Sequence, residues 1–298
     1  MRFSQNSELL FTRGEPDDPR LGERVQMPTS GEFGKTDWDF TIIGFADDRG
    51  VLQNRGRPGA AEGPNAIRKW LYRLVAPKNS IKIADLGDLQ MSDDLNFDHE
   101  EATHAIAFAL THSNKVIVLG GGHDWGFSPI SALMKAGETG FINIDAHLDV
   151  RPSQIHHSGT PYWRAIEAGV RGENALWVGI QKGSTASLHN DYAIGHGGKV
   201  FFADEENEDI LQIANEINNR VDNLDISLDL DAISMSEAPG VSAPQPIGIP
   251  SKTILSWMRK LKTLSKNRTF GIYELSPEND LNEMTSRLAA RFVWEYIS

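Results

Sequence analysis

The sequence predicts an α/β fold: three layers, with a mostly parallel sheet of eight strands covered by helices on both faces. Three observations carry this reading. From Asp39 onward, strand-like and helix-like stretches alternate along the chain. The strand-like stretches are apolar runs such as Lys115-Val116-Ile117-Val118-Leu119, the pattern of strands buried inside a parallel sheet. Four of them end in short segments bearing Asp, His or Glu, and ligands of such sheets bind beyond the carboxyl ends of the strands.

Residues 1–38 are rich in Gly, Pro and charge, and read as an arm without a core of its own. Strands are expected at 39–45, 81–86, 115–119, 140–145, 175–180, 199–203, 225–231 and 269–274. Helices are expected at 64–75, 98–112, 126–136, 162–169, 207–221, 251–263 and 281–296. In the first helix Ile67, Trp70, Leu71 and Leu74 recur at helical spacing, with Pro64 near its start. In the last, Leu281, Met284, Leu288, Phe292 and Tyr296 form an apolar stripe. The long irregular stretches 46–63, 150–160 and 234–250 are of a length that is often functional. Because the acidic segments run from residue 120 to 274 and depend on one another, 1–298 reads as one domain.

Hydrophobic content of 40% and charged content of 23% are those of a soluble globule. A net charge of −12 without a basic stripe argues against nucleic acid or an anionic membrane as partner. With no cysteine, disulfides, thiolate metal sites and thiol nucleophiles are excluded. No apolar run reaches the roughly 18 residues of a membrane span. Residues 1–8 lack the apolar stretch of a secretory leader, so a cytoplasmic location is expected.

Gly120-Gly121-Gly122-His123-Asp124 follows the strand at 115–119, and Asp145-Ala146-His147-Leu148-Asp149 follows the strand at 140–145. Asp229-Leu230-Asp231 closes a third strand and Glu274 a fourth. In an extended segment alternate residues point to one side, which would turn Asp145, His147 and Asp149 to one space, and Asp229 and Asp231 likewise. Two carboxylates about 4 Å apart repel by about 4 kcal/mol at an effective dielectric of 20, so such a cluster calls for cations. Mixed carboxylate and imidazole donors without sulfur suit Mn²⁺, Fe²⁺, Co²⁺ or Zn²⁺. Each motif has a plainer reading alone. Asp-x-Asp is a common solvated strand end, Gly-Gly-Gly-His a flexible loop, and Glu274 a surface residue. All of them in this order, each after a strand, favour a shared metal site.

These motifs are where the chain resembles the ureohydrolases, the family of arginase, agmatinase and formimidoylglutamase. The resemblance runs from about residue 39 to 296 and rests on Gly-Gly-Gly-His-Asp, Asp-Ala-His-Leu-Asp and Ser-Leu-Asp-Leu-Asp. It implies an arginase-like fold holding two Mn²⁺ ions per subunit. His123, Asp145, Asp149 and Asp229 would hold one, and Asp145, His147, Asp229 and Asp231 the other. Glu274, within Tyr273-Glu274-Leu275-Ser276-Pro277, would orient a cationic amidine or guanidine through paired N–H contacts. Asp149 would double as proton relay to the leaving amine. Trimers or hexamers are implied as well.

Three departures point toward the formimidoylglutamase branch. Asp231 is followed by Ala232-Ile233-Ser234 where the family commonly has Asp-Pro. The loop Ala238-Pro239-Gly240-Val241-Ser242-Ala243-Pro244 resembles that branch. Ser158-Gly159 stands where arginases and agmatinases carry His-Gly, and His157 is one position early. The early loop from Gly56 to Pro64 also matches. N-Formimidoyl-L-glutamate carries two carboxylates and needs cations to read them. Arg151, Arg57 and Arg164 are candidates, each otherwise a surface or structural arginine, with Asn54 as a hydrogen-bonding candidate. Trp163, His156 and His157 read as packing or rim residues. The expected activity is hydrolysis of that compound to formamide and L-glutamate in histidine breakdown. An agmatinase or guanidino-acid hydrolase is the alternative enzyme, and a catalytically silent scaffold the alternative of another class.

Overall fold

The computed structural model describes residues 2–77, 80–205 and 209–298; residue 1 of the expected arm and residues 207 and 208 of the expected fifth helix lie outside them. Among the described residues ten strands form one sheet: β1 (Phe3–Ser4), β2 (Val25–Gln26), β3 (Trp38–Gly44), β4 (Ile83–Leu89), β5 (Ser113–Leu119), β6 (Thr139–Ile144), β7 (Ala175–Ile180), β8 (Lys199–Phe202), β9 (Asn223–Asp229) and β10 (Asn267–Tyr273). Their order is β1-β4-β3-β5-β10-β9-β6-β7-β8, with β2 also paired to β4. Every pairing is parallel except that of β1.

The sheet thus has ten strands, not the expected eight. Both additions are two-residue strands in the arm, too short for any periodicity to show. The arm is also tied to the body more firmly than expected. Leu21 and Phe33 are fully buried, and the Leu21 and Gly22 N–H groups donate to the carbonyls of Leu74 and Tyr72 at 2.8 and 3.1 Å. The seven expected helices form with shifted ends, the fifth over Ile210–Arg220. A further helix, Ser187–Gly195, was not foreseen. Of its residues only Ala193 is buried, while Leu188 and Ile194 are exposed, so it carries no apolar stripe to find.

Two helical layers sandwich the sheet. On one face Ile42, Ile117, Ile142, Ile226 and Phe270 pack beneath helices Gly63–Leu71, Ile210–Arg220, Ser251–Leu261 and Met284–Ile297. On the other, Ile43, Val116, Val118, Phe141 and Trp177 meet helices Leu95–Leu110, Phe127–Met134, Pro161–Glu167 and Ser187–Gly195. β9 alternates between these faces. Leu224, Ile226 and Leu228 join the first core, whereas Asp225, Ser227 and Asp229 form a buried polar row on the other side. No helix of the described residues is long and apolar enough to cross a membrane.

A buried ion pair locks the first helix to the sheet. Arg68 reaches both carboxylate oxygens of Asp85 at 2.8 and 3.1 Å and Asp88 at 2.5 Å, and Tyr72 donates its hydroxyl to Asp85. Arg68 and Asp85 are buried. Removing one partner strands the other charge in a dry core. Arg68→Leu should therefore destabilise the protein by about 3–5 kcal/mol, read as a lower denaturation midpoint at unchanged slope in urea.

Candidate metal centre and cleft

The carboxyl ends of β5, β6, β9 and β10 lie side by side at the centre of the sheet, so their following segments meet. The segment after β5 is threaded between two neighbours. Gly121 N–H donates to Phe45 and Gly122 N–H to Asp47, while Gly121 C=O accepts from the Glu274 N–H at 2.9 Å. A Cβ on Gly121 would sit 1.9 Å from the Asp47 carbonyl oxygen, so only glycine passes here. This placement sends His123 into the space beyond β9.

There, Nδ1 of His123 stands 3.1 Å from an Oδ2 atom of each of Asp145, Asp149 and Asp229. Nδ1 of His147 lies 3.1 Å from Asp231 and 3.6 Å from Asp145. Two groups of ligand atoms result, each compact enough for one ion: His123, Asp145, Asp149 and Asp229 in one, and Asp145, His147 and Asp231 in the other. Asp145 belongs to both, and all six expected metal ligands are brought together. Asp229 is not in the second group. Its Oδ1 accepts instead from the Asp231 backbone N–H at 2.8 Å, which closes the turn after β9.

The convergence does not come from an extended backbone, as expected from alternation. Strand geometry ends at Ile144 and at Asp229; bends at 145–147 and a 3₁₀ turn at Leu230–Ala232 aim the ligands. Asp149 and Glu274 adopt left-handed φ angles of 50° and 65°, conformations rare outside glycine and concentrated at functional sites. Asp149 is held there because its carbonyl accepts the Tyr162 and Trp163 N–H groups, free donors of a helix start.

The donor set fits a pair of divalent cations. His123 Nδ1 is buried, faces three carboxylates and makes no hydrogen bond. Burial and the neighbouring Asp145 push Asp149 up to about 6, and burial also raises Asp229, with Asp231 and Asp145 adding to it. Positive ions would relieve this repulsion. Supporting bonds orient the ligands: Ser227 Oγ and Tyr162 OH lie 2.9 and 3.2 Å from His123 Nε2, and Asn143 donates to Asp145 at 2.9 Å. Tyr273 stacks on the His123 ring.

A cleft of about 200 Å³ opens over the ligands. Glu274 lines it, nearly buried, with Oε1 accepting the His123 N–H at 2.8 Å, and burial pushes its carboxyl up to about 8. Arg151 and Asn54 reach the cleft as well. Arg151 Nη1 donates to Asn54 Oδ1 at 2.7 Å, and Asn54 Nδ2 donates to Ser158 Oγ at 2.9 Å. Ser158 thus holds Asn54 in place beneath Arg151.

The other two arginines do not face this cleft. Arg57 spends its guanidinium on the carbonyls of Ser242 and Val241 and on Asn279, fastening the 238–244 loop. Arg164 holds the Ser153 and Gln154 carbonyls and faces a different cavity. His156 is buried and stacks on His99, while His157 is half-buried with Nδ1 accepting the Gly159 N–H. Sequence reasoning missed Ser184, Thr185 and His189, which also line the cleft. They follow β7, and the rule that ligands gather beyond carboxyl strand ends would have pointed to them. It also missed His99, whose Nε2 lies 3.0 Å from Asp124, a motif carboxylate that belongs to neither ligand group.

Residues 38–298 match the family described as Arginase family. The chain belongs to the arginase family. It is a metal-dependent hydrolase of three-layer α/β/α architecture. The formimidoylglutamase of Paraburkholderia xenovorans is 32% identical, with 95% of this chain and 97% of that protein aligned. The Trypanosoma cruzi formiminoglutamase solved with Mn²⁺ superposes with a TM-score of 0.85 at 27% identity, covering 94% and 98% of the two chains. The proclavaminate amidino hydrolase of Streptomyces clavuligerus superposes with a TM-score of 0.78 at 27% identity, covering 92% and 93%.

The shared ligand separates the roles of the carboxylates. Asp145→Asn should strip divalent metal from both groups, whereas Asp231→Asn should strip it from one, as read by metal content after dialysis. Ser227→Ala removes a partner of the His123 imidazole, a candidate ligand, and should weaken metal affinity by about 10- to 100-fold, measured by competition with a chelator.

Proposed function

We propose that the protein is a formimidoylglutamase that uses two Mn²⁺ ions to hydrolyse N-formimidoyl-L-glutamate to formamide and L-glutamate, a step of histidine breakdown. The observation that carries this reading is one cleft lined by both ligand groups, by the buried Glu274 and by Arg151. Such a cleft offers a carboxylate for an amidinium and a guanidinium for a carboxylate. The curated relatives of that name, alike over nearly the whole chain, support it. A cytoplasmic location, a single domain spanning 1–298 and assembly into a homotrimer or hexamer belong to the same proposal.

His123, Asp145, Asp149 and Asp229 would hold one ion, and Asp145, His147 and Asp231 the other, with Asp229 reaching both if it turns from the Asp231 N–H. A pair of divalent ions supplies Lewis acidity and makes water nucleophilic near neutral pH. Glu274 receives the amidinium N–H groups, and the cation in turn keeps this buried carboxylate charged. Its His123 N–H contact and fixed left-handed backbone hold the carboxylate in place before substrate arrives. Arg151, braced by Asn54 and Ser158, takes a glutamate carboxylate at the rim. Water adds to the formimidoyl carbon and the bond from that carbon to the glutamate nitrogen breaks. Asp149 carries the proton from the attacking water to that nitrogen, so that formamide and L-glutamate leave.

A guanidino-acid hydrolase is the second reading, favoured by the likeness to the proclavaminate enzyme. Arg151 would read the carboxylate of a guanidino acid equally well, whereas agmatine offers it none. A panel of N-formimidoyl-L-glutamate, guanidino acids, L-arginine and agmatine with Mn²⁺ decides between them. Turnover of the formimidoyl compound should exceed the rest, and turnover of a guanidino acid alone would move the assignment. Glu274→Gln should keep its metal and lose about 10- to 100-fold in kcat/KM, the worth of a charge-assisted contact of about 1.5–3 kcal/mol. Arg151→Ala should raise KM for the formimidoyl substrate and leave residual agmatine activity unchanged. Equal damage to both would make Arg151 structural.

A further inference from the structure

A second cavity, of about 460 Å³, lies against helices Leu95–Leu110 and Phe127–Met134 on the far side of the 150–160 loop from the catalytic cleft. Its volume is that of a small-molecule site. Its charged lining includes Arg164, Lys135 and Glu100, for none of which an ion pair forms among the described residues. Arg164 is half-buried, and although its Nη2 holds two carbonyls its Nε makes no hydrogen bond, which leaves a partly desolvated donor open to a ligand. Two stacked imidazoles, His99 and His156, add polar lining without charge, because burial pulls them down to about 3 and about 2. His156 Nδ1 is likewise without a hydrogen-bond partner.

We propose that this cavity binds a free α-amino acid, its carboxylate toward Arg164 and Lys135 and its ammonium toward Glu100. Opposite charges in one cavity lining match a zwitterion, whereas an anion alone would meet the Glu100 carboxylate. The site is coupled to the catalytic cleft through a single loop. Gln154 and His156 line the second cavity, while Arg151 and Ser158 of the same loop line the first. Arg164 fastens that loop through the carbonyls of Ser153 and Gln154, so an occupant that draws on Arg164 acts on the support of Arg151. The inference does not depend on which amidine or guanidine the catalytic cleft cleaves.

The test is calorimetric titration of the metal-loaded protein with L-glutamate, and separately with inorganic phosphate. Arg151→Ala disables the catalytic rim, and the double variant Glu100→Gln/Lys135→Gln alters exposed side chains that leave the fold intact. L-Glutamate should bind the wild type and Arg151→Ala, and bind the double variant about tenfold more weakly or worse, the scale of a lost charge-assisted contact. Absence of binding in Arg151→Ala, or equal affinity in the double variant, would overturn the proposal. Phosphate binding that depends on Lys135 without any binding of L-glutamate would make the cavity an anion site and overturn it too.

Discussion

Mutual repulsion among buried carboxylates is the constraint on which this structure turns. Asp145, Asp149, Asp229, Asp231 and Glu274 crowd the ends of β6, β9 and β10, all nearly excluded from water. Two imidazoles alone make a poor counterweight: burial opposes their protonation and the neighbouring groups outweigh it, raising both, yet two positive charges would still face five carboxylates. The arrangement becomes favourable when cations enter, and the fold is built to hold the groups together until they do. Asp145 takes the central part. It faces both His123 and His147, and its orientation is set by Asn143 of the preceding strand.

The rest of the fold serves that convergence. Placing β5, β10, β9 and β6 side by side brings four loops to one point. The polar row on β9 carries support downward into the layer, with Ser227 Oγ against His123 Nε2. Helix Pro161–Glu167 uses its start to hold the Asp149 carbonyl and its Tyr162 to brace His123. Strain at Asp149 and Glu274 is therefore spread over neighbours that leave these residues no other conformation. The arginines serve different ends. Arg68 locks a helix to the sheet and Arg57 fastens a loop, while Arg151 alone of the three foreseen candidates faces the ligands.

Much of this was legible in the residues, and the limits were physical. Apolar runs marked every long strand, and clusters of Asp and His after them marked the residues that converge, because charge at a buried strand end requires a counter-charge. What failed was anything set by partners distant in sequence. Two-residue strands such as Val25–Gln26 exist only because β4 offers an edge. The reach of an arginine depends on which carbonyls stand near it, so closeness to Asp149 favoured Arg151 but nothing in the sequence excluded Arg57 and Arg164. The polar helix Ser187–Gly195 gave no periodic signal, and with it His189 of the cleft wall stayed hidden. Alternation aimed the Asp145 and Asp229 segments correctly for the wrong reason, since bends do the aiming.

The central claim is that Asp145 joins two cation sites into one centre. Electron paramagnetic resonance of the protein titrated with Mn²⁺ tests it most directly. The account predicts that two ions bind per chain and that their spectrum shows exchange coupling, which Asp145→Asn abolishes. Saturation at one ion per chain, or two ions with independent spectra, would contradict it.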